Sequence, residues 1–517
     1  MVVPAIEKKA LWIGFGILTK TILYFYLSFA SINHYSSQSL YTETFGTKAF
    51  ILPIENFLRS GSYIEDFRET TSQYIRMPGY GGIYLAFRFF TDTHTAKNLL
   101  VLLQIVLSGV SIYYLSLTAY RICPRKLTFY FCFVLYASSA FVSMYDGYLL
   151  SESLSVSTLI FSVYLIAEVL SGTLFGRSAL MKLFCAGIWL TISVFMRPAA
   201  APLFLLFIPF IVFRLKGIGW KIRAISLFGF IGIFCIAEIS WITRNFRISG
   251  RIVPFQYNSW LHTTGNTVKD VEYHAYQWIQ AVGESSIFYE YNTLSAWLFD
   301  SGFANATYQP PLRTTTSAYN SDSLKVLKAK FLTYRDTYGI FSSDISIHQA
   351  NPSGKFFEKG SRDNQQAALE LNQTFSRYTD SYRTERPMDY YVINRFRLLK
   401  TFLFHSGTGN YPLKSFAEMK QNKDVMGIFF KLSQSVLYWL VLLAGTAGVV
   451  VGIWLDRFKG LLLASLVGYT VLITPFYIKI PEMRFLCLAY PFLAVSAAIC
   501  LAVVFFQILT WRRANGK

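Results

Sequence analysis

Four arginines stand where an apolar run of the chain meets a polar stretch: Arg76 shortly before Pro78-Gly79, Arg197 before Pro198, Arg244 at the end of one run and Arg484 at the head of the last. Guanidinium forks bond phosphate oxygens in pairs, so a ring of arginines gathered from separate helix ends would suit a lipid phosphate leaving group and clamp its developing charge. Taken singly, the same arginines would only anchor helix ends to anionic headgroups. Carboxylates accompany them: Glu43, Glu55, Glu65, Asp66 and Glu69 in an early polar stretch, and Asp146 and Glu152 in a turn after the third apolar run. A carboxylate at a membrane surface can act as general base on an incoming hydroxyl, provided it lies within hydrogen-bond reach. Most loop carboxylates are merely solvated, so geometry has to choose among them.

Charges inside apolar runs are expensive and count as functional candidates. Lys20 sits near the middle of the first run, where it either bonds carbonyls of a neighbouring helix or holds a lipid phosphate; Glu238 and Lys431 lie near run ends, where snorkelling is the simpler reading. The six histidines (His34, His94, His262, His274, His348, His405) are scattered. No His/Asp cluster with ligand spacing is visible, which leaves an assisting divalent metal open without naming its ligands. Trp260, Tyr273 and Trp278 have the chemistry to stack on sugar rings, but aromatics at helical spacing more often form core.

The elements that must position these residues are set by composition. Of 517 residues, 53% are hydrophobic and 15% charged, against about a quarter charged in soluble domains, which excludes a cytosolic enzyme. Apolar runs of roughly 20 residues imply helical spans; a β-barrel would show short alternating segments instead. The net charge of +19 would suggest nucleic acid in a soluble domain. Here the basic residues cluster in short connectors such as Arg121/Arg125/Lys126 and Arg214/Lys216/Lys221/Arg223, the positive-inside signature of a membrane protein, and no nucleic-acid partner is expected. The six cysteines fall in or beside apolar runs, so no disulfide framework is expected.

Placing the basic clusters inside gives ten spans, at about 10–30, 98–120, 127–145, 153–172, 183–196, 198–213, 224–242, 428–455, 460–478 and 485–511, with both termini cytoplasmic; the short runs 183–196 and 198–213, separated only by Arg197-Pro198, read either as two spans with a tight outer turn or as one broken hairpin. The first run has no small-residue cleavage site behind a short apolar region and is expected to stay as an anchor. The fold class is therefore all-α and polytopic. Residues 1–243 would form an amino-terminal membrane module with a long first outer loop (31–97), 244–426 a mostly helical extracytoplasmic domain, and 427–517 the last spans. The first loop is too long for a plain connector. Its apolar stretch Tyr80–Phe90 reads as an interfacial helix with Arg88 snorkelling to headgroups, and Val268–Val282, Leu324–Tyr338 and Asp389–Phe404 read as helices of the outer domain.

Several short motifs then stand in an order that resembles the bacterial branch of the GT-C membrane glycosyltransferases, the group that holds protein O-mannosyltransferases and the lipid A aminoarabinose transferase. They are Glu55-Asn56-Phe57-Leu58-Arg59-Ser60-Gly61-Ser62-Tyr63, Arg76-Met77-Pro78-Gly79-Tyr80, Ser151-Glu152-Ser153-Leu154, Met196-Arg197-Pro198, Thr243-Arg244-Asn245-Phe246 with Gly250-Arg251-Ile252-Val253-Pro254, Gly265-Asn266, Pro387 with Tyr390, and Met483-Arg484-Phe485. Together they extend over about 450 residues. Such relatives carry a base aspartate in the first loop, upstream of Glu55-Asn56. The corresponding stretch here is near Gly46-Thr47-Lys48 and has no acid.

The resemblance implies a GT-C-like helix arrangement and transfer of a sugar from a polyprenyl-phosphate donor, at the outer leaflet, to a glycan, lipid or protein acceptor, with inversion at the anomeric carbon. The site would face the outside of a bacterial inner membrane, among membrane lipids. Glu43, the nearest acid upstream, is the first choice for base, with Asp146 and Glu152 behind it and Glu65 and Asp66 as secondary acids. Arg76, Arg244, Arg484 and Arg197 would bind the donor phosphate. A lipid-linked sugar transporter would share the spans and arginines, but no inverted repeat with matched broken helices is visible. The missing aspartate favours a third reading, an inactive lipid-binding scaffold.

Overall fold

A computed structural model describes residues 8–30, 39–65, 73–74, 76–172, 177–215, 219–256, 270–283, 312–338, 362–404, 416–479 and 483–514. Asp66, Glu69, Trp260 and Gly265-Asn266 lie outside the described residues. Every expected apolar run is helical. Among the described residues, eight helices are long and apolar enough to cross a membrane: α1 (Lys9–Ala30), α4 (Thr93–Ile122), α7 (Glu152–Leu170), α8 (Arg177–Met196), α10 (Trp220–Ser249), α16 (Val425–Leu455), α17 (Arg457–Ile473, continued by a π turn to Ile478) and α18 (Tyr490–Ala514). Two of the ten expected runs differ from a plain straight span. The third run breaks into α5 (Lys126–Ala137) and α6 (Ala140–Ser143), whose halves bend by 42°. The sixth, Pro198–Arg214, is a shorter apolar helix, with α9 (Pro202–Arg214) following a single 3-10 turn.

Both breaks have local causes. Ser138 turns its hydroxyl back to the Val134 carbonyl (2.6 Å), and the Ser139 hydroxyl accepts the Phe141 N–H (3.3 Å), so a serine pair restarts the helix. At Arg197-Pro198 the proline disfavours helical backbone at the residue before it, and Arg197 is extended (φ −142°, ψ 100°). Elsewhere the spans close on small residues. A Cβ on Gly448 of α16 would stand 1.8 Å from the Ser496 carbonyl oxygen of α18, so only glycine permits that backbone contact. None of the six cysteines is paired.

The first loop contributes α2 (Phe45–Ser60) and α3 (Gly79–Arg88). The α2 helix starts where the Thr44 N–H donates to the Thr47 hydroxyl (2.9 Å), and stops at Gly61, whose φ of 73° suits a residue without Cβ. In α3, Tyr80 and Tyr84 are fully buried against the bundle, while the Phe89 and Phe90 that follow are exposed. The expectation that Arg88 reaches for headgroups is corrected: its guanidinium turns to Glu55, with Nε 2.8 Å from Oε1. A buried carboxylate on α2 offers a charged partner without the cost of holding a long side chain in the interface.

The large second region has its own core. Helices α11 (Asp270–Val282), α12 (Ser321–Tyr338) and α13 (Arg362–Glu385) pack Trp278, Phe331 and Phe375 at 0% exposure, with the Trp278 ring 5.6 Å from Phe375 and 5.2 Å from Tyr319. Trp278 is therefore core. The region returns to the spans through a π turn at Asp389–Ile393, α14 (Asn394–Phe404) and α15 (Phe416–Gln421). Asn394 Nδ2 ties this return to α11 by donating to the Ala281 carbonyl at 2.8 Å.

Candidate functional site

The Arg76–Tyr80 motif is delivered to the bundle by close backbone packing. A Cβ on Gly79 would lie 2.5 Å from the Phe195 carbonyl carbon, so glycine is required for the first loop to dock on the end of α8, two residues before Arg197. Met77 beside it is 2% exposed. On the other side of Arg197, α7 begins at Glu152, and Arg197 Nη1 stands 2.7 Å from Glu152 Oε1. The Phe485 ring, just ahead of α18, lies 5.3 Å from the Arg197 guanidinium and 5.6 Å from that of Arg484. Four separate segments thus meet at one place.

Electrostatics binds them into a single constellation. Glu152 interacts first with Arg197 and then with Arg484 and Arg76, while Arg76 feels Arg484, Glu65, Glu152 and Arg197. Burial, and then the like charge of Arg484, push Arg76 down to about 10. A single buried carboxylate, 3% exposed, is faced by three guanidiniums. Its Oε2 and the Arg76 Nε have no hydrogen-bond partner among the described residues. Such an arrangement has room, in charge and in donors, for an anion.

Arg244, the fourth expected phosphate ligand, stands one layer back. It donates to the carbonyls of Gln73 (2.6 Å) and Tyr63 (3.0 Å) and lies over the rings of Trp241 and Tyr63 (4.9 and 5.2 Å). It therefore straps the first loop to α10, and it reaches Arg76 through Tyr63, whose hydroxyl donates to the Arg76 carbonyl at 3.2 Å. Burial raises the Tyr63 phenol well above its ordinary range, against the pull of Arg244 and Arg76, so it stays a neutral donor.

The candidate acids occupy different environments. Glu65 is partly exposed and interacts with both Tyr63 and Arg76, at the edge of the arginine cluster. Glu43 is exposed and pairs with Lys97 at 2.5 Å. It follows Thr42, which forms a one-residue parallel bridge with Tyr148, so the start of the first loop touches the turn that carries Asp146. Asp146 is fully buried; Oδ1 accepts from Ser153 (2.5 Å), and Oδ2 has no hydrogen-bond partner among the described residues. Lys20 is also fully buried, donates to Ser143 Oγ at 2.5 Å and faces Asp146 electrostatically. Neither reading offered for Lys20 describes it: its partners are a serine, the Tyr136 ring at 4.9 Å and a buried acid.

Gln104 is a site-bordering residue with no sequence signal. It accepts from the Tyr80 hydroxyl (2.9 Å) and donates to the Asp146 carbonyl (2.8 Å), joining the first-loop motif to the Asp146 turn. Among the described residues no group of three or more His, Cys, Asp or Glu side chains is arranged to hold a metal ion.

No family model matches the chain, and no curated protein matches it. Among solved structures it is similar to the Archaeoglobus fulgidus oligosaccharyltransferase in the apo form, at 13% identity over 98% of this chain and 52% of that one, with a TM-score of 0.48. The same enzyme tethered to an acceptor peptide containing the NVT sequon gives 12% identity, 98% and 50% coverage, and a TM-score of 0.43. The archaeal oligosaccharyltransferase AglB from Archaeoglobus fulgidus, in complex with an inhibitory peptide and a dolichol-phosphate, gives 13%, 98% and 51%, and 0.45. The chain spans about half the length of these structures.

Proposed function

We propose that this chain is a membrane glycosyltransferase of the GT-C type, which moves a sugar from a polyprenyl-phosphate donor to an acceptor hydroxyl at the outer face of a bacterial inner membrane. The observation that carries the reading is the convergence of Arg76, Arg197 and Arg484 on the buried Glu152. A sugar phosphate places a dianion-like leaving group at a membrane surface, and preorganised guanidiniums stabilise the charge that develops as the bond from anomeric carbon to phosphate oxygen breaks. Phosphate leaves without a general acid, so positioning and charge neutralisation carry the step.

The acceptor oxygen attacks the anomeric carbon from the face opposite the phosphate, inverting it, and its proton passes to a carboxylate. Glu152 is held by Arg197 and serves to space and orient the arginines. Glu65 combines partial exposure with a place beside Arg76, and we assign it the base. The acceptor, whether glycan, lipid or protein, would enter between the first loop and the helical region that follows α10.

The test is incubation of the purified protein in detergent with a panel of polyprenyl-phosphate sugars and extracted envelope acceptors, reading free polyprenyl phosphate by mass spectrometry. Release with one donor supports transfer and names its sugar. Tight donor binding with no release under any acceptor would sink the enzyme reading and favour a carrier or scaffold.

A further inference from the structure

Residues 251–256, just beyond α10, stay against the bundle. Gly250 takes a left-handed cap (φ 68°), and residues 251–256 run back along the helix they have just left. Three buried side chains of α10, spaced three and four residues apart on one face, grip the returning backbone. Asn245 Nδ2 donates to the Val253 carbonyl at 3.0 Å, the Trp241 indole N–H donates to the Phe255 carbonyl, and Glu238 Oε1 accepts the Phe255 N–H at 2.7 Å. Their exposures are 0%, 6% and 7%.

Phe255 itself sits at φ 57°, a left-handed conformation that is an outlier for a bulky side chain. Strain of this kind persists only where the surroundings over-determine it, and here both its N–H and its C=O are held. Its ring lies nearly parallel to that of Phe234 at 6.3 Å. The next residue, Gln256, accepts from Arg76 Nη1 at 3.4 Å. Tyr74, Met77 and Trp241 form a small core under this contact, with Tyr63, Phe195, Val253 and Phe255 packed against it.

We infer that Glu238, Trp241 and Asn245 are positioning residues: they clasp residues 253–256 as one wall of the arginine site and thereby set Gln256 against Arg76. This inference rests on the phosphate-binding reading of that site. The clasp needs an acceptor at position 238, not a charge, since Glu238 Oε2 has no hydrogen-bond partner among the described residues. Gln at 238 should therefore serve where Ala does not.

The experiment uses the full chain in detergent with undecaprenyl phosphate as probe, and compares wild type, Glu238→Ala, Glu238→Gln, Trp241→Phe and Arg76→Gln. Two quantities are read: the Kd for the probe, and the rate of trypsin cleavage after Arg251. Glu238→Ala and Trp241→Phe are expected to speed cleavage and raise Kd about tenfold, the worth of one ordinary contact, with Glu238→Gln restoring both. Unchanged cleavage and Kd in Glu238→Ala, or Gln as defective as Ala, overturns the clasp. Wild type failing to bind, or Arg76→Gln binding equally well, overturns the phosphate-site reading and the positioning role with it; the trypsin rates then still report whether the clasp holds.

Discussion

Arg197 Nη1 and Glu152 Oε1 lie 2.7 Å apart with both side chains less than a tenth exposed, and this pair joins the end of α8 to the start of α7. A buried ion pair adds little net stability, but breaking one partner leaves an uncompensated charge and costs about 3–5 kcal/mol. Glu152→Gln is therefore expected to lower the thermal midpoint of the free protein. The same change removes the negative charge that three guanidiniums share, so a polyprenyl phosphate should bind the variant more tightly and recover more of its midpoint than in wild type. Arg197→Gln should lose stability without that recovery. Thermal unfolding with and without the lipid phosphate checks this; equal recovery in both variants would refute the anion-clamp role.

For the base, Glu65→Gln is expected to reduce turnover by about 100-fold or more while leaving donor binding near wild type, the usual scale for loss of general base assistance. Glu43→Gln should change turnover little, because Glu43 is an exposed partner of Lys97. Single-turnover release of polyprenyl phosphate separates the two. The opposite ranking would return the base to Glu43, where the reading of the sequence first puts it.

A pH effect follows from α2. Burial alone would raise the Glu55 carboxyl, but hydrogen bonds from Arg88, Tyr84 and Thr93 bring it below its ordinary value. The folded-state value lies below the unfolded one, about 4.3. Its stabilisation is therefore complete above that pH and is lost as pH falls through the folded value. Glu55→Gln should destabilise the fold at pH 7 by about 2 kcal/mol, the scale of charge-assisted hydrogen bonds, and should flatten the decline that wild type shows on going to pH 3. A variant with the same acid slope as wild type would show that Glu55 is not a source of it.

What could be read from residues alone tracks how local the physics is. A membrane fixes the length of an apolar run, so all ten runs were legible, and their limits fall close to the observed helices. The bend at Ser138-Ser139 was not, because serine breaks a helix only when its hydroxyl finds a backbone partner. Helix α13 carries its apolar face as Ala368, Leu371, Phe375, Tyr378 and Tyr382, alternately three and four residues apart, a helical signal present in the sequence that the expected outer-domain helices do not include. The arginines announced their chemistry, yet Arg76, Arg197 and Arg484 are far apart in sequence, and only packing such as that of Gly79 on Phe195 brings them together. The distinct role of Arg244 as a strap depends on backbone carbonyls, which carry no sequence signature.

Lys20 and Asp146 offer the sharpest case of such long-range pairing. Both are fully buried, on α1 and at the end of the broken third span, and their charges interact. Removing only Lys20, as in Lys20→Met, leaves a buried acid with one unpartnered oxygen, and removing only Asp146, as in Asp146→Asn, leaves a buried ammonium. Each single change should cost about 3 kcal/mol or more. The double variant should cost less than the sum by about 1–3 kcal/mol, since it removes both charges at once, and a double-mutant cycle on detergent unfolding measures that coupling. Additive losses would mean that the two charges do not compensate each other, and that the order around Asp146 comes from its polar neighbours such as Ser153 and Ser108.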